Sequence, residues 1–235
     1  MRRYMRAINC SDKMDLENAY KVVVSGLKNP QAWVKEYRRL VDDAASFQGV
    51  FVMQEYYWLA ERIKSNTTVL DIGAKNGDTS IYFAMFPNTK WVIAYEPAPM
   101  NQMRFAENIR KNPFKAKINL CKKAIDSKRW QKRVSNSAYG QGYSFTNDKK
   151  VDGEWIKAIT LNDALRGLKN VAIKCDCEGA EERIFNDVDM RNVYIVMLEW
   201  HDEHKRKCAR ESLIAQGFKI VKDYRGSSCI ICAKR

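Results

Sequence analysis

Two acidic residues and one histidine follow apolar stretches of the sequence, where their side chains could move a proton. Asp176 and Glu178 follow one such stretch, and His201 follows the next. A carboxylate can orient a nucleophile or accept its proton, and an imidazole is the ordinary general base near neutral pH. Glu178 could instead belong to the start of a helix, and His201 could bond a backbone carbonyl at a strand end. We predict a catalytic set of Asp176, Glu178 and His201.

A turn with two glycines lies between another apolar stretch and a predicted helix. Gly73 lets the backbone turn and lets a ligand approach closely, while the amino end of the helix offers unpaired N–H groups. A dinucleotide-binding turn would carry a third glycine where this chain has Lys75, which disfavours NAD and FAD. Glu96, 19 residues after Gly77, ends the next apolar stretch and could accept hydrogen bonds from both hydroxyls of a ribose. The pattern predicts a nucleoside cofactor.

Four motifs occur in order along the chain: DIGAKNGDTS, AYEPAPMNQMRFAENI, IKCDCEGAE and LEWH. Together they resemble the FkbM-type S-adenosylmethionine-dependent methyltransferases, a branch of the class I Rossmann-like methyltransferases. The resemblance spans about residues 65–201. It implies an α/β fold with a seven-stranded sheet of order 3-2-1-4-5-7-6, methyl transfer as the activity and S-adenosyl-L-methionine as the cofactor.

The resemblance also implies which residues surround the cofactor. These are Asp71, Gly73 and Gly77 around the methionine and ribose parts, Glu96 on the ribose hydroxyls, and Ala124 and Ile125 beside the adenine. Asp176 joins this set because its carboxylate could orient the methionine amino group. The chain departs from the family at Lys75, where asparagine is usual, and at Cys175 or Cys177, where an apolar residue is usual.

From Thr67 onward, short apolar runs alternate with amphipathic stretches, which is typical of a parallel sheet with crossover helices. The predicted strands are Thr68–Ile72, Trp91–Tyr95, Lys117–Leu120, Val171–Cys175, Val193–Glu199, Phe218–Asp223 and Cys229–Ala233. The predicted helices are Thr79–Met85, Pro99–Lys111, Leu161–Gly167, Glu181–Asp187 and Lys205–Gln216. Only Tyr224–Ser228 joins the last two strands, so we expect a hairpin and an antiparallel last strand.

The N-terminal part has helical periodicity over about residues 14–64, and its third helix is predicted over Val52–Lys64. We predict a helical extension over residues 1–65 and a Rossmann-like methyltransferase domain over residues 66–235. An aromatic cluster in the extension could stack on bases, but burial against the following domain is the expected role. Its members are Phe51, Tyr56, Tyr57 and Trp58.

The stretch between Asp126 and Ile156 is polar and has little periodicity. At about 30 residues it is longer than an ordinary connection in a compact domain. We therefore predict a functional or mobile loop there.

Basic residues outnumber acidic ones, and the surplus is concentrated in one segment. The chain has 41 Lys and Arg against 28 Asp and Glu, which gives a net charge of +13 and a pI of about 9.4. Segment 104–133 contains eleven basic and two acidic residues. Clustered Lys and Arg gain affinity for nucleic acids by releasing counterions from phosphates. We predict that this segment binds a structured RNA such as tRNA through Lys122, Lys123, Arg129 and Lys132.

The acceptor stays open between two classes. An RNA would offer a ring nitrogen or a ribose hydroxyl. The resemblance favours instead a hydroxyl of a sugar or another small metabolite, because that chemistry is usually attributed to FkbM-type enzymes. The sequence has no Asn-Pro-Pro-Tyr-like turn after the fourth predicted strand, which disfavours exocyclic amines of adenine or cytosine. A binding module that has lost catalysis is a third hypothesis.

Metal, membrane and disulfide chemistry are disfavoured. Asp176, Glu178 and His201 could hold Mg²⁺, but methyl transfer from a sulfonium needs no Lewis acid. The pairs Cys175–Cys177 and Cys229–Cys232 could hold zinc, but each lies in an apolar strand, so buried thiols are expected. Seven scattered cysteines, no stretch near the ~18 apolar residues of a membrane span and no signal peptide predict a cytoplasmic protein with reduced thiols.

Overall fold

The computed structural model describes most of the chain from residue 48 onward. The described residues are 48–52, 55–110, 112–135, 145–146, 153–177, 180–224 and 230–235. The helices predicted before residue 48, the candidate catalytic residue Glu178 and Cys229 lie outside the described residues. None of the described helices is long and apolar enough to cross a bilayer.

Eleven strands form two sheets within these residues. In chain order they are β1 (Thr67–Ile72), β2 (Thr89–Tyr95), β3 (Ile118–Cys121), β4 (Ala124–Asp126), β5 (Trp130–Ser135), β6 (Phe145–Thr146), β7 (Gly153–Thr160), β8 (Val171–Cys175), β9 (Val193–Glu199), β10 (Lys219–Asp223) and β11 (Ile230–Lys234). The seven-stranded sheet has the order β3-β2-β1-β8-β9-β11-β10, which along the chain is the predicted 3-2-1-4-5-7-6. β11 runs antiparallel to β9 and β10, so the predicted hairpin is confirmed.

Six α-helices accompany the sheets in the described part of the chain. They are α1 (Tyr57–Ala60), α2 (Asp78–Met85), α3 (Pro99–Arg110), α4 (Leu161–Leu165), α5 (Glu181–Ile184) and α6 (Glu203–Ala215). Two of them begin at side-chain caps, which accept hydrogen bonds from otherwise unpaired N–H groups: Thr160 caps α4 and Asp202 caps α6. The ends of α2 to α6 and of the seven main strands lie within three residues of their predicted positions.

The central strands are buried on both faces of the sheet. Val69 of β1 and Ala172 of β8 belong to one apolar cluster, which contains most of α2. Their neighbours Leu70 and Ile173 belong to a second cluster, with residues of α4, α5 and α6. Because successive side chains of a strand point to opposite faces, helices cover both sides of the sheet. This is the three-layer α/β arrangement expected from the sequence.

The N-terminal aromatic cluster lies in the core, as expected. Tyr56 and Trp58 are each only 8% exposed, and the Tyr56 ring meets Phe83 of α2 edge to face at 6.1 Å. The helix predicted over Val52–Lys64 is wrong in extent, because only α1 is α-helical within its described residues. After α1 the chain continues in tighter turns, in which the N–H of Ile63 donates to the carbonyl of Ala60.

The loop predicted between Asp126 and Ile156 is also wrong for its described parts. β4, β7, β5 and β6 form a second sheet in that order. β5 pairs antiparallel with β7 over six residues, from Trp130 opposite Ala158 to Ser135 opposite Gly153. Along β7, exposed Trp155 and Lys157 alternate with buried Ile156 and Ala158. This short alternation is the strand signal that the polar composition concealed.

The turn after β1 passes extremely close to the end of β8. Gly73 has φ +77°, and a Cβ atom built on it would lie 1.6 Å from the carbonyl oxygen of Asp176. The N–H of Asp176 also donates to the carbonyl of Ile72 at 3.0 Å. Both the left-handed backbone and the close approach therefore require glycine at position 73.

Gly73→Ala should lower the free energy of unfolding by more than about 3 kcal/mol, because it adds a backbone clash to left-handed strain. Gly167→Ala is the matched control, since Gly167 has φ +76° but a Cβ atom built on it would meet nothing within 4 Å. This control should cost only about 1 kcal/mol. Urea denaturation of both variants measures the difference. Equal losses in the two variants would show that the close approach to Asp176 has no energetic weight.

Candidate active site

A cleft of about 150 Å³ lies at the edge of the main sheet where the parallel strands end. Open α/β sheets bind ligands at this edge. The lining comes from the segment before α1, the β1–α2 turn, and the ends of β8 and β9. The lining residues are Val50, Glu55, Tyr56, Gly73, Ala74, Lys75, Asn76, Asp78, Thr79, Lys174, Asp176 and Glu199.

Glu96 directly follows β2, and its side chain is joined to the backbone of the β1–α2 turn. Its Oε2 accepts from the N–H of Lys75 at 2.8 Å, and its Oε1 accepts from the N–H of Ala98 at 2.8 Å. The residue is 5% exposed, and burial raises the pKa of its carboxyl to about 7 despite these hydrogen bonds. Lys75 has φ +49°, in the left-handed region that asparagine adopts more readily than lysine. The asparagine that the resemblance implies at this position would therefore suit the backbone better than lysine does.

Asp71 is fully buried beneath the turn. Its Oδ2 accepts the hydroxyl protons of Thr79 and Ser80, each at 2.6 Å, and its Oδ1 lies 3.2 Å from the ammonium of Lys174. Sequence reasoning missed Lys174. The signal was its position inside an otherwise apolar strand, where an ammonium is costly unless it is paired. Burial lowers the pKa of Lys174, but the charges of Asp71, Tyr56 and Asp176 outweigh burial and raise it well above the usual value.

His201 follows β9 and lies between two carboxylates, that of Asp176 just after β8 and that of Glu181 at the start of α5. Its Nε2 is 3.8 Å from Oδ1 of Asp176, and its Nδ1 is 3.5 Å from Oε1 of Glu181. Glu181 is fully buried, and its Oε1 also accepts from the N–H of Cys177 at 2.9 Å. Burial would raise the pKa of Glu181, but the hydrogen bonds from His201 and from backbone N–H groups lower it below the usual value.

The structure thus brings Asp176 and His201 together with Glu181, which the sequence indicated only as part of a helix start. One ligand atom from each of these three residues lies within 4.8 Å of the others, so the set could in principle hold a cation. A carboxylate pair beside a histidine is equally suited to holding an imidazole in one orientation.

Two further glutamates face the same cleft: Glu199 belongs to the LEWH motif but received no predicted role, and Glu55 lies outside the four motifs. Glu199 ends β9, and burial together with the charge of Asp176 raises the pKa of its carboxyl to about 7. Glu55 precedes α1, and burial and Asp176 likewise raise its pKa. With Asp176 they make the cleft strongly acidic when all three are ionised.

The predicted RNA contacts follow β3 and enter the second sheet. Lys122 and Lys123 are exposed in the short connection from β3 to β4. Lys132 lies in β5 with its ammonium 5.0 Å from the Trp130 ring. Arg129 is exposed but forms a two-bond ion pair with Asp163, with nitrogen–oxygen distances of 2.8 and 2.5 Å. Among the described residues, no carboxylate forms an ion pair with Lys122, Lys123 or Lys132, whereas Arg129 is paired with Asp163.

Ala124 and Ile125 are buried in β4, directly after these lysines. Their backbone begins the second sheet at the same edge of the main sheet where β3 ends. The cysteines in the described residues are free thiols. The Cys175 and Cys177 sulfurs lie 3.8 Å apart, and Cys175 and Cys232 are buried.

Residues 71–223 match the model of the methyltransferase FkbM domain. The chain belongs to the FkbM methyltransferase family. It is therefore a methyltransferase that uses S-adenosyl-L-methionine, as the motifs predicted. No curated protein matches the sequence at a significant level.

Solved structures similar to this FkbM methyltransferase share little sequence with it. Precorrin-6y C5,15-methyltransferase from Geobacter metallireducens GS-15 has 17% identity and a TM-score of 0.49, with 83% of this chain and 93% of that chain covered. Methyltransferase FkbM from Methylobacillus flagellatus KT has 11% identity and a TM-score of 0.49, with 85% and 57% covered. Aeropyrum pernix fibrillarin with bound S-adenosyl-L-methionine has 11% identity and a TM-score of 0.45, with 73% and 67% covered.

The cleft of this FkbM methyltransferase suits the methyl donor chemically. Two buried acceptor atoms on its lining, Oδ1 of Asn76 and Oδ1 of Asp176, have no hydrogen-bond partner among the described residues. An ammonium group has the donors that these two oxygens lack, and the methionine part of S-adenosyl-L-methionine carries one. The carboxylates of Glu55 and Glu199 add negative charge, which suits a cationic sulfonium. Glu96 lies on the far side of the same turn, through its hydrogen bond from the turn backbone.

Glu96→Gln should flatten the dependence of unfolding free energy on pH between about 5 and 7. The pKa of Glu96 is raised from 4.5 to about 7 in the folded protein, so folding favours the protonated carboxyl. This stabilisation is complete below about pH 4.5 and is lost as the pH rises through about 7, by up to about 1.4 kcal/mol per pH unit.

Urea denaturation at several pH values measures this slope in the wild type, in Glu96→Gln and in Glu107→Gln. Glu107 is an exposed glutamate of α3, so its variant should keep the wild-type slope. Identical slopes for all three proteins would contradict the raised pKa of Glu96.

Proposed function

We propose that the methyl acceptor of this FkbM methyltransferase is a structured RNA such as tRNA, methylated at a ribose hydroxyl or a ring nitrogen. The observation that carries the proposal is the position of Lys122 and Lys123. These exposed lysines follow β3, which runs parallel to β1 and β8 in the sheet, so they lie on the side of the sheet where the strands that line the cleft end. Phosphates on the basic segment 104–133 would bring an RNA to the catalytic edge without entering the acidic cleft.

In this proposal the donor is held by the residues that the motifs indicated. Gly73 and Gly77 shape the turn, Glu96 accepts from the ribose hydroxyls, and Asp176 accepts from the methionine ammonium. Asp71 does not touch the donor but positions the start of α2, whose Thr79 and Ser80 hydroxyls it binds. Ala124 and Ile125 border the adenine side. Bound S-adenosylmethionine supplies a methyl group on a cationic sulfur, which leaves as a neutral thioether.

His201 serves as the general base in this proposal. Glu181 lies next to Nδ1, so it can accept a hydrogen bond from a protonated Nδ1 and leave Nε2 as the basic atom. An acceptor hydroxyl loses its proton to Nε2 as its oxygen bonds to the methyl carbon and the carbon–sulfur bond breaks. Asp176, 3.8 Å from Nε2, stabilises the imidazolium that forms. Glu178 remains a proposed member of the catalytic set.

His201→Ala should lower the rate of methyl transfer at least about 100-fold, because the base is lost. The dissociation constant for S-adenosylmethionine should change less than about threefold. Transfer of label from S-adenosylmethionine to total RNA gives the rate, and calorimetry gives the affinity. The control is His204→Ala, because His204 is the other histidine of the chain and is exposed on α6. A fully active His201→Ala protein would overturn the role of His201.

Reversing Lys122 and Lys123 to Glu should weaken RNA binding and reduce the salt slope of log affinity by about 2. The double change Lys219→Glu and Lys234→Glu is the matched control. These exposed lysines pair across β10 and β11. β10 is the outer strand of the main sheet on the side away from β3. Filter binding between about 50 and 200 mM salt compares the two proteins. Equal weakening in both, or an affinity that ignores salt, would contradict the RNA proposal.

A hydroxyl of a sugar or small metabolite is the second candidate acceptor. The acidic cleft favours it, because Glu55, Asp176 and Glu199 repel a phosphate but can hydrogen-bond hydroxyl groups. Incubation with labelled S-adenosylmethionine and fractionated cell extract separates the candidates. Label that follows small molecules or polysaccharide instead of RNA would establish the second candidate.

Two predictions about the whole chain also remain part of this proposal. We infer that residues 1–65 form a helical extension that precedes the Rossmann-like domain of residues 66–235. We infer a cytoplasmic location, where the buried thiols of Cys175 and Cys232 would stay reduced.

A further inference from the structure

We propose that Lys174 is a positioning residue for the methyl donor, which holds the β1–α2 turn by its carbonyl groups from inside β8. The Lys174 Nζ atom lies 2.8 Å from the carbonyl oxygen of Gly73 and 3.5 Å from that of Ile72. Gly73 begins the turn that borders the cleft. Lys174 also lines the cleft, and through these two carbonyls its ammonium acts on the donor site by way of the main chain.

One lysine links four parts of the site. Its Nζ is 3.2 Å from Oδ1 of Asp71, and the other oxygen of that carboxylate binds the Thr79 and Ser80 hydroxyls at the start of α2. Lys174 and Asp71 are 2% and 0% exposed. β8, β1, the turn and the first turn of α2 thus share one hydrogen-bonded network.

The fold alone does not call for an ammonium at this position. The preceding residues of β8, Val171, Ala172 and Ile173, are fully buried and apolar, so an apolar side chain would fit the strand pattern. A buried ion pair is often no more stabilising than apolar residues of the same size. What an ammonium adds is direction, because it donates to the two carbonyls at the start of the turn while its charge pairs with the Asp71 carboxylate. That direction fixes the peptide planes there.

This inference rests on donor binding, and it is independent of whether the acceptor is RNA or a small molecule. Acceptor assays therefore do not bear on it. The test uses calorimetric binding of S-adenosylmethionine to folded protein, so a change in affinity is separated from a change in stability.

Lys174→Met should raise the dissociation constant for S-adenosylmethionine at least tenfold, but it leaves Asp71 buried without its partner. The double variant Asp71→Asn with Lys174→Met removes both charges, while the asparagine oxygen still accepts from Thr79 and Ser80. We expect the double variant to recover much of the stability that Lys174→Met loses. We expect its affinity for the donor to stay at least tenfold weaker than that of the wild type.

Lys117→Met is the matched control. Lys117 also donates to two backbone carbonyls, those of Ala84 and Phe86 at 3.3 and 3.4 Å, but at the far end of α2. Its loss should lower the unfolding midpoint and leave donor affinity unchanged. The proposal is overturned if the folded double variant binds the donor within twofold of the wild type, or if Lys117→Met weakens binding equally. A wild-type protein that binds no donor would overturn the donor assignment itself.

Discussion

The close approach of the β1–α2 turn to the end of β8 determines the geometry of the site. Gly73 leaves no room for a side chain against the Asp176 carbonyl, and the Asp176 N–H donates to Ile72. The first and third motifs of the sequence therefore meet as a single rigid unit. Gly73, which borders the cleft, and the carboxylate that reaches toward His201 are therefore fixed relative to each other through the backbone.

Charge is arranged in two layers around this contact. Asp71 and Lys174 form a paired, buried layer below the turn, whereas Glu55, Asp176 and Glu199 face the cleft above it. Desolvation raises the pKa of Glu199 to about 7 and that of Glu55 above its usual value. Part of the carboxyl groups in the cleft is therefore protonated and uncharged near neutral pH. A cationic donor offsets the repulsion among these carboxylates, because it brings positive charge next to them.

The strands of the main sheet could be predicted from the residues, because they are short apolar runs separated by amphipathic helices, and their order followed from the family resemblance. β8 spans the same residues as predicted, whereas the second sheet escapes prediction because only β7 shows alternation. Within the site, Gly73 and Glu96 stand at strand ends, where motifs are visible. Glu181 resembles any acidic residue of a first helical turn, and only the fold places it against His201. Lys174 left a signal within an apolar strand, but its meaning depends on carbonyls from another strand.

The same two layers constrain how any acceptor approaches. The exposed lysines after β3 attract phosphates, while the cleft carboxylates repel them, so the field has opposite signs over adjacent surfaces. A polyanion can then bind only with its phosphates outside the cleft and a neutral group directed inward. A ribose hydroxyl meets that condition, and so does a sugar hydroxyl without any phosphate. In the proposed function the acidic cleft would therefore select the reacting group, and the basic segment would decide whether that group belongs to a nucleic acid.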